Sequence, residues 1–452
     1  MAGIFKAYDI RGLYPSQLDE DIARKVGQSF RAVLDDADFA HGGHKVVVGR
    51  DMRSHSVPLQ KALIEGLRAS GLDVIDIGLA TTPMSYFAVG SLGAAGGLQV
   101  TASHNPAGYN GIKMSKRDAR PVSGDHGIPL LETKVTSGDL ETSETQGSYE
   151  TADVADAYAE MLLGHLHRPE GAERLKVVVD AANGMGAVYR PILERAGIDL
   201  IPLYFELDGT FPNHEANPLK VENLADLAAA VQEHGADLGV AFDGDADRSA
   251  FVDERGEPVG NDLATALIAG ELLEKEPGSH IVYDLRSSRA VAEYIREKGG
   301  VPVRERVGHS FIKATLRGNG GVFGGELAGH YYFRDTYTAD NALLAVFEIL
   351  NLLWETGEPL SALVEPLLRY AKSQETNFQV EDKAGKIALL AERYADGEID
   401  DLDGITVQYD DWWFNVRPSN TEPYLRLVAE AANAELLDAR MAELIGLLGE
   451  PV

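Results

Sequence analysis

The sequence predicts an α/β protein with three tandem α/β domains of similar topology and a smaller C-terminal α+β domain. Its 452 residues are too many for one ordinary core, because domains usually contain about 100–150 residues. In three places along the chain, a strand rich in β-branched residues is followed by a helical stretch and a second strand. The C-terminal part has a different pattern, in which strand-like segments follow one another before a final helix.

The strand segments of the three repeats are continuous apolar runs rich in valine and isoleucine, which is typical of parallel strands buried on both faces. They lie at 44–51 and 71–78, at 175–184 and 198–205, and at 279–288 and 301–308. Between the two strands of the second repeat, residues 187–197 have a helical pattern. Each repeat therefore predicts one α/β domain.

The C-terminal part predicts a domain of another type. Residues 404–431 look like two strands, a polar loop and a third strand, and the stretch AELLDARMAELIGLL that follows looks like a helix. This order of elements indicates an α+β domain. The predicted limits are 1–148 for α/β domain I, 149–254 for α/β domain II, 255–370 for α/β domain III and 371–452 for α+β domain IV.

The composition excludes several classes of protein. The longest apolar stretch, 341–354, is interrupted by Glu348 and Asn351 and is too short to span a bilayer, so it predicts a buried helix. The sequence contains no cysteine, which excludes disulfides, thiol catalysis and cysteine-ligated zinc. The N-terminal residues do not resemble a secretory signal, so we expect a cytoplasmic protein.

The net charge makes some kinds of binding partner unfavourable. A formal charge of −30 argues against nucleic acid or an anionic membrane as a partner. If the substrate is a phosphate, positive charge must be gathered locally in a cleft. The acidity itself is typical of a solubilising surface.

The stretch TASHNPAGYNGIK, residues 101–113, surrounds Ser103 with unusual neighbours. His104 follows it directly, Lys113 ends the stretch, and an Asn-Pro pair and two glycines lie between them. Asn-Pro and glycine are typical of a fixed loop rather than a helix. A serine in an ordinary surface turn does not need two basic neighbours, whereas a serine that carries a phosphoryl group does. The stretch therefore suggests a phosphate-carrying serine.

Three aspartates form the second motif. Asp243, Asp245 and Asp247 occupy every second position between two apolar, strand-like runs. Like charges this close repel by about 1 kcal/mol per pair in water, and a hard divalent cation such as Mg²⁺ removes that penalty. One alternative is an EF-hand loop, but Arg248 replaces its turn glycine and the flanks look like strands. The other alternative is a solvated acidic turn. The pattern favours a Mg²⁺ site.

The stretch RPSNTEP, residues 417–423, predicts a phosphate site without a metal. Arg417 can donate two parallel hydrogen bonds to a phosphate. Ser419, Asn420 and Thr421 add short donors on a loop whose amides can point inward. A run of this composition is equally typical of a plain turn.

The third repeat contains further polar candidates. His309 and Lys313 could form an ion pair with a charged group of a ligand. Glu326 and His330 could form hydrogen bonds with the hydroxyls of a sugar. Taken singly, these residues and Arg286 are more often solvated than functional. Together with one metal-bound and one metal-free phosphate site, they predict a substrate that can be phosphorylated at either end.

The chain resembles the α-D-phosphohexomutase superfamily over essentially its whole length. The motifs are YDIRG (8–12), TASHNP (101–106), NGIK (110–113), DGDADR (243–248), GELAGH (325–330) and RPSNTEP (417–423). The stretch FPNHEANPLKVENL (211–224) is similar to the phosphomannomutase/phosphoglucomutase branch. The resemblance implies four domains around a central cleft, with a C-terminal domain that resembles the TATA-binding-protein fold.

The resemblance also implies roles for individual residues. Ser103 matches the serine that is phosphorylated in the resting enzyme. The implied metal ligands are phosphorylated Ser103, Asp243, Asp245 and Asp247. The residues implied to surround the phosphoserine are Arg11, His104, Lys113 and Arg248, the first three for proton handling or charge stabilisation. The implied substrate-binding residues are Tyr8, Arg286, His309, Lys313, Glu326, Ala328, His330, Arg417, Ser419, Asn420 and Thr421.

Two positions depart from the family pattern. Ala328 stands where serine is usual, which removes one hydroxyl contact worth about 1 kcal/mol. Arg286 stands where lysine is common, which keeps the charge but changes its geometry. Leu327 and Asn420 differ from the Gln and Gly of glucosamine mutases and argue against that branch.

The implied function is the interconversion of hexose 6-phosphate and hexose 1-phosphate by a monomer or weak homodimer. Phosphorylated Ser103 would donate its phosphoryl group, and Mg²⁺ and a hexose 1,6-bisphosphate would serve as cofactor and intermediate. Mannose and glucose both remain open, since they differ only at the 2-hydroxyl. The alternatives are a sugar-phosphate phosphatase that uses the same serine and metal, and a non-catalytic protein that binds a sugar phosphate or Ca²⁺.

Overall fold

The computed structural model describes residues 3–124, 127–419 and 424–452, apart from the side chains of residues 41 and 42. The described residues form two compact units. The first unit comprises Met1–Gly260 and Ala328–Ser361, and the second comprises Asn261–Leu327 and Ala362–Val452.

The first unit begins with a mixed sheet. Its elements are β1 (Asp9–Leu13), α1 (Glu20–Phe30), α2 (Asp36–Gly42), β2 (Lys45–Arg50), α3 (Ser56–Ala69), β3 (Asp73–Leu79), α4 (Thr82–Ser91), β4 (Gly96–Val100), β5 (Tyr109–Lys116), β6 (Arg120–Pro121), α5 (Ile128–Ser137) and β7 (Tyr149–Thr151). The strand order is β1-β5-β4-β2-β3-β7, and β6 pairs with β5. β2 runs parallel to β3 and β4, while β5 is antiparallel to β1 and β4. Val46, Val48 and Leu98 are fully buried in the core of this sheet, as the apolar runs predict.

A second sheet follows in the same unit. Its elements are α6 (Ala155–Leu163), β8 (Lys176–Asp180), α7 (Arg190–Arg195), β9 (Asp199–Leu203), α8 (Ala225–His234), β10 (Leu238–Phe242), β11 (Ser249–Val252) and β12 (Pro258–Val259). The strand order is β12-β11-β10-β8-β9, with β8 parallel to β9 and β10. β11 is antiparallel to β10, so a tight connection joins these two strands at residues 243–248.

The second unit begins with a third strand–helix repeat. Its elements are α9 (Asn261–Lys275), β13 (His280–Asp284), α10 (Arg289–Glu297), β14 (Val301–Glu305), α11 (His309–Asn319) and β15 (Phe323–Gly325). β13 is parallel to β14 and β15 and lies between them. The orders β3-β2-β4, β9-β8-β10 and β14-β13-β15 are the same parallel arrangement, which confirms three α/β repeats of similar topology.

The chain then contributes another segment to the first unit. Its elements are β16 (Tyr331–Phe333), β17 (Ala339–Asp340) and α12 (Ala342–Thr356), and α13 (Leu360–Val364) follows. α12 confirms the predicted buried helix, and Asn341 caps it by accepting a hydrogen bond from the Leu344 amide. Asn351 is satisfied inside the core because its side chain bonds the His165 carbonyl and the His167 amide. No helix among the described residues combines the length and the apolar character that a membrane span needs.

The C-terminal part of the second unit is an antiparallel α+β domain. Its elements are β18 (Ala371–Lys372), β19 (Thr376–Gln379), α14 (Lys383–Arg393), β20 (Glu398–Asp400), β21 (Ile405–Gln408), β22 (Trp412–Pro418), β23 (Tyr424–Ala431) and α15 (Ala434–Leu448). The strand order is β18-β23-β22-β21-β20, and β19 also pairs with β23. The predicted strands within 404–431 and the helix after them are confirmed.

Short 3₁₀ turns connect several elements. They lie at Arg31–Val33, Arg117–Ala119, Met185–Tyr189, Val221–Leu224, Arg334–Thr336 and Glu365–Leu367. The predicted helix at 187–197 is therefore wrong in its first part, because the chain is a 3₁₀ turn until Tyr189 and α-helical only from Arg190. Pro191 explains the difference: its ring would clash with the carbonyl of Ala187 in a continuous α-helix, but it fits the first turn of α7.

Candidate active site

Ser103 lies in the loop between β4 and β5 and has a strained backbone. Its φ of 50° is in the left-handed region, which costs a residue with a Cβ about 1–2 kcal/mol. The Ser103 amide donates a hydrogen bond of 3.0 Å to Thr101 Oγ1. The residue is only 1% exposed. The loop thus holds a buried serine in a conformation that its own sequence does not favour.

Arg53 stabilises the loop that contains Ser103. Its terminal nitrogens donate hydrogen bonds of 2.6–3.1 Å to the backbone carbonyls of Ser103, Asn105, Pro106 and Tyr109. The Arg53 side chain is buried, its Nε lies 3.3 Å from Asp51 Oδ2, and its guanidinium lies 4.9 Å from the centre of the Phe211 ring. A planar guanidinium can satisfy several carbonyls at once, so Arg53 fixes the shape of the serine loop.

The predicted metal loop connects β10 and β11 and approaches the serine loop closely. The carboxylates of Asp243, Asp245 and Asp247 are buried, and oxygen atoms of the three lie within 4.8 Å of one another. A Cβ on Gly244 would lie 2.3 Å from the carbonyl oxygen of Ser103. A glycine is required here because any side chain would push the two loops apart.

Hydrogen bonds join the two loops. Ser103 Oγ donates to Asp243 Oδ2 at 2.7 Å. Thr82, at the N-terminus of α4, donates from its hydroxyl to Asp245 Oδ2 at 2.6 Å, and its amide donates to the Asp245 carbonyl at 3.1 Å. The serine and the aspartates are therefore parts of one buried cluster.

Lys113, on β5, supplies positive charge to this cluster. Its Nζ donates to Asp245 Oδ2 at 2.7 Å and also contacts Asp247 Oδ2. Burial alone lowers the pKa of Lys113, but Asp245 and Asp247 raise it above its ordinary value. The lysine therefore carries a positive charge at neutral pH.

The aspartate cluster fits a hard divalent cation. Burial and the charges of Asp247 and Asp245 raise the pKa of Asp243. The Oδ1 atoms of Asp245 and Asp247 are buried and have no hydrogen-bond partner among the residues that the structure describes. Carboxylate oxygens are the usual ligands of a hard divalent cation, so the cluster could hold a metal ion, and Ser103 Oγ lies next to it.

His104 and Arg248 lie on another side of Ser103. His104 Nδ1 is 3.3 Å from Ser103 Oγ and 2.6 Å from Arg248 Nη2. Burial lowers the pKa of His104 well below its ordinary value, and the charges of Arg248 and Arg11 lower it further. His104 is therefore neutral at pH 7, and its Nδ1 accepts the hydrogen bond from Arg248.

Arg11, on β1, reaches the same loop. Its Nε donates to Asp9 Oδ2 at 2.7 Å, and its Nη1 contacts the side-chain oxygen of Asn105. Burial lowers the pKa of Arg11, but Asp9 and the aspartate cluster more than offset this and raise it. His330 also comes close, with Nε2 at 3.6 Å from Asp247 Oδ1. The structure thus brings Arg11, Ser103, His104, Lys113, Asp243, Asp245, Asp247, Arg248 and His330 together in the first unit.

A second group of predicted residues lies in the second unit around Glu375. Its Oε2 accepts hydrogen bonds from Arg417 Nη2 at 3.0 Å and Arg286 Nη1 at 3.3 Å, and its Oε1 accepts one from Arg426 Nη1 at 3.1 Å. We call Arg286, Arg417 and Arg426 the arginine cluster. Arg286 also forms a two-pronged ion pair with Asp284, at 3.2 and 2.7 Å.

The sugar-loop candidates are divided between the units. Glu326 accepts a hydrogen bond of 3.0 Å from the Gly308 amide in the second unit. His309 begins α11, and Lys313 lies buried on the same helix. Ala328 is half-buried and belongs to the first unit.

The remaining predicted residues lie at the ends of strands. Tyr8 is half-buried and directly precedes β1. Ser419 follows β22 and donates from its amide to the Tyr424 carbonyl at 2.9 Å. Asn420 and Thr421 lie outside the described residues.

Arg53, Thr82 and Glu375 also belong to these clusters, although no sequence motif predicted them. For Arg53 a signal existed, because an arginine with an aspartate two residues before it follows directly after a buried strand, where polar side chains gather. Thr82 could be recognised as part of a helix start, but not as a partner of Asp245. Glu375 has no local signal, since its partners are up to 89 residues away.

Family models of known proteins match most of the chain. The models are those of phosphoglucomutase/phosphomannomutase α/β/α domain I at 2–141, domain II at 156–256, domain III at 260–370 and the C-terminal domain at 375–447.

Individual proteins are similar over nearly their whole length. The chain is 40% identical over 449 residues to a protein from Xanthomonas campestris pv. campestris described as phosphohexose mutases, with 98% of each chain covered. It is 38% identical to a phosphomannomutase of Salmonella montevideo, again with 98% of each chain covered. The crystal structure of a phosphoglucomutase/phosphomannomutase family protein from Burkholderia thailandensis has a TM-score of 0.90 and 37% identity, covering 98% of this chain and 96% of that chain.

The repeated α/β domains and the C-terminal α+β domain are those of the α-D-phosphohexomutases, which are isomerases. The chain belongs to the phosphoglucomutase/phosphomannomutase family.

Proposed function

We propose that this isomerase interconverts the 6-phosphate and 1-phosphate of mannose, glucose or both, with Ser103 as the phosphoryl carrier. The observation that supports this most strongly is the position of Ser103 Oγ, which lies 2.7 Å from Asp243 Oδ2 in a buried cluster of carboxylates and cations. A buried serine hydroxyl needs no such surroundings for packing. A phosphoserine needs both the metal ligands and the positive charges.

Asp243, Asp245, Asp247 and the phosphate on Ser103 would hold a Mg²⁺ ion. When bound, the ion supplies positive charge that stabilises the phosphoryl group during transfer. Lys113 and Arg11 add fixed charge, because their raised pKa values keep them protonated.

The proposed reaction moves a phosphoryl group between Ser103 and the sugar without releasing inorganic phosphate. The bond from phosphorus to Ser103 Oγ breaks while a bond to the free sugar hydroxyl forms, which gives a hexose 1,6-bisphosphate. The sugar then presents its other phosphate, and Ser103 takes that group back. The attacking sugar hydroxyl gives up a proton and Ser103 Oγ takes one up as its phosphoryl group leaves, so the proton transfers balance; Arg11, His104 and Lys113 are the residues we propose for proton handling or charge stabilisation.

The mutation Ser103→Ala tests this function. We expect it to abolish mutase activity towards mannose 1-phosphate and glucose 1-phosphate, because no carrier remains. Ser29→Ala is a matched control, since Ser29 is also buried but its hydroxyl bonds a carbonyl of its own helix, that of Lys25. Near-normal mutase activity of the Ser103 variant would refute the proposal, and net release of inorganic phosphate by the wild type would indicate a phosphatase instead.

A further inference from the structure

The arginine cluster contains its own counter-ion. Burial alone would raise the pKa of Glu375, but the charges of Arg286, Arg417 and Arg426 outweigh it and lower this pKa to about 2. Glu375 is therefore a carboxylate at any pH at which the protein works. Its two oxygens bond the guanidinium groups of all three arginines.

A negative charge between Arg286 and Arg417 stabilises the two buried positive charges. Burial lowers the pKa of Arg417, and the charge of Arg286 lowers it further, because two like charges are close together in a buried environment. Arg417 is only 2% exposed, and its Nε is buried with no hydrogen-bond partner among the described residues. This arginine can therefore still donate to a ligand.

We propose that Glu375 competes with a substrate phosphate for Arg286 and Arg417 and thereby keeps the binding of that phosphate weak enough for release. The inference rests on the proposed function, in which the two phosphates of one intermediate must in turn occupy and leave this place. A phosphate that met the arginines without a competing carboxylate would bind more tightly and leave more slowly.

If Glu375 only held the arginines in place, replacing it would weaken phosphate binding. The proposal predicts tighter phosphate binding instead. Glu375→Gln keeps the size of the side chain and one acceptor but removes the competing charge. We expect the dissociation constant of inorganic phosphate to fall by about tenfold, which corresponds to about 1.4 kcal/mol. In turnover, KM for the hexose phosphate should fall and kcat should fall with it, because release becomes slower.

Calorimetric titration of the metal-free full-length protein with inorganic phosphate measures this directly. Glu297→Gln is the matched control, since Glu297 pairs with Arg369 at 2.7 Å on the surface of the same unit and should leave phosphate binding unchanged. Adding Arg417→Gln to the Glu375 variant should remove the gain, which assigns the bound phosphate to the arginine cluster.

Unchanged or weaker phosphate binding by Glu375→Gln would overturn the proposal. If that variant does not fold, Glu375→Asp replaces it. The shorter carboxylate reaches the arginines less well, so phosphate binding should again be tighter, and unchanged or weaker binding would overturn the proposal. The titration involves no turnover. A wild-type protein without mutase activity would therefore refute the proposed function, while the ratio of phosphate affinities would still decide the role of Glu375.

Discussion

Arg53 gives the sharpest prediction about how the fold serves the site. Replacing it with lysine keeps the positive charge but replaces a planar guanidinium with a single ammonium group. In the structure the guanidinium bonds the carbonyls of Ser103, Asn105, Pro106 and Tyr109. One ammonium cannot reach all of them, because they are spread around both terminal nitrogens of the arginine.

The expected cost follows from these contacts. A hydrogen bond from a charged group contributes about 1.5–3 kcal/mol, and lysine should lose about two of them, partly compensated by rearrangement. We therefore expect Arg53→Lys to lower the free energy of unfolding by about 3 kcal/mol. The loop would also hold Ser103 less firmly, and a misplacement of this kind should lower kcat by about tenfold or more while KM changes little.

Urea unfolding and steady-state kinetics together test this prediction. Arg289→Lys is the control, because Arg289 also bonds three backbone carbonyls, those of Tyr409, Asp410 and Trp412, but it lies in the other unit and is far from Ser103 in the sequence. It should lose stability without a comparable loss of kcat. If Arg53→Lys kept its stability within about 0.5 kcal/mol and its kcat within about twofold, the reasoning would be refuted.

Two further predictions concern other parts of the first unit. Gly244→Ala should lower kcat by about tenfold or more, because its Cβ would lie 2.3 Å from the Ser103 carbonyl oxygen. Gly446→Ala is the control: Gly446 lies in α15 with open space around it, so this substitution should raise the free energy of unfolding by about 0.5–1 kcal/mol. Equal kinetics of these two variants would contradict the close approach. The hydrogen bond with Asp180 raises the pKa of His214, so its stabilising contribution is complete below the ordinary histidine pKa and is lost as pH rises through the folded value. His214→Gln should therefore lower Tm more at about pH 6 than at about pH 9, and an equal loss at both would contradict this assignment.

The sequence predicted the elements that depend on local pattern. Continuous valine-rich runs such as those that became β2 and β8 identify buried strands, because a parallel strand covered on both faces leaves no place for polar residues. The buried helix α12 was predicted for the same reason, although two polar side chains interrupt it. The predicted start of α7 is too early because the helical periodicity extends back past Pro191, whose ring is compatible only with the first turn of an α-helix.

The site was predicted where its residues lie in motifs. Asp243 and its neighbours, and Ser103 with His104, are close in sequence, so their chemistry can be recognised before the fold is known. Arg53 and Glu375 act through partners that are distant in sequence, and the fold alone brings these partners together. Their contacts are hydrogen bonds and ion pairs between separate strands and loops. The polar residues after β2 could mark Arg53 as a candidate, but the sequence does not indicate the partners of either side chain.

The carrier role of Ser103 can be tested most directly by following one labelled phosphoryl group. The protein is first incubated with a hexose 1,6-bisphosphate labelled in its phosphates and then with an excess of unlabelled hexose monophosphate. The account predicts that the label appears on the peptide containing Ser103 and then passes to the hexose phosphate at least as fast as turnover. Turnover without label on Ser103, or label that stays on the protein during the chase, would contradict it.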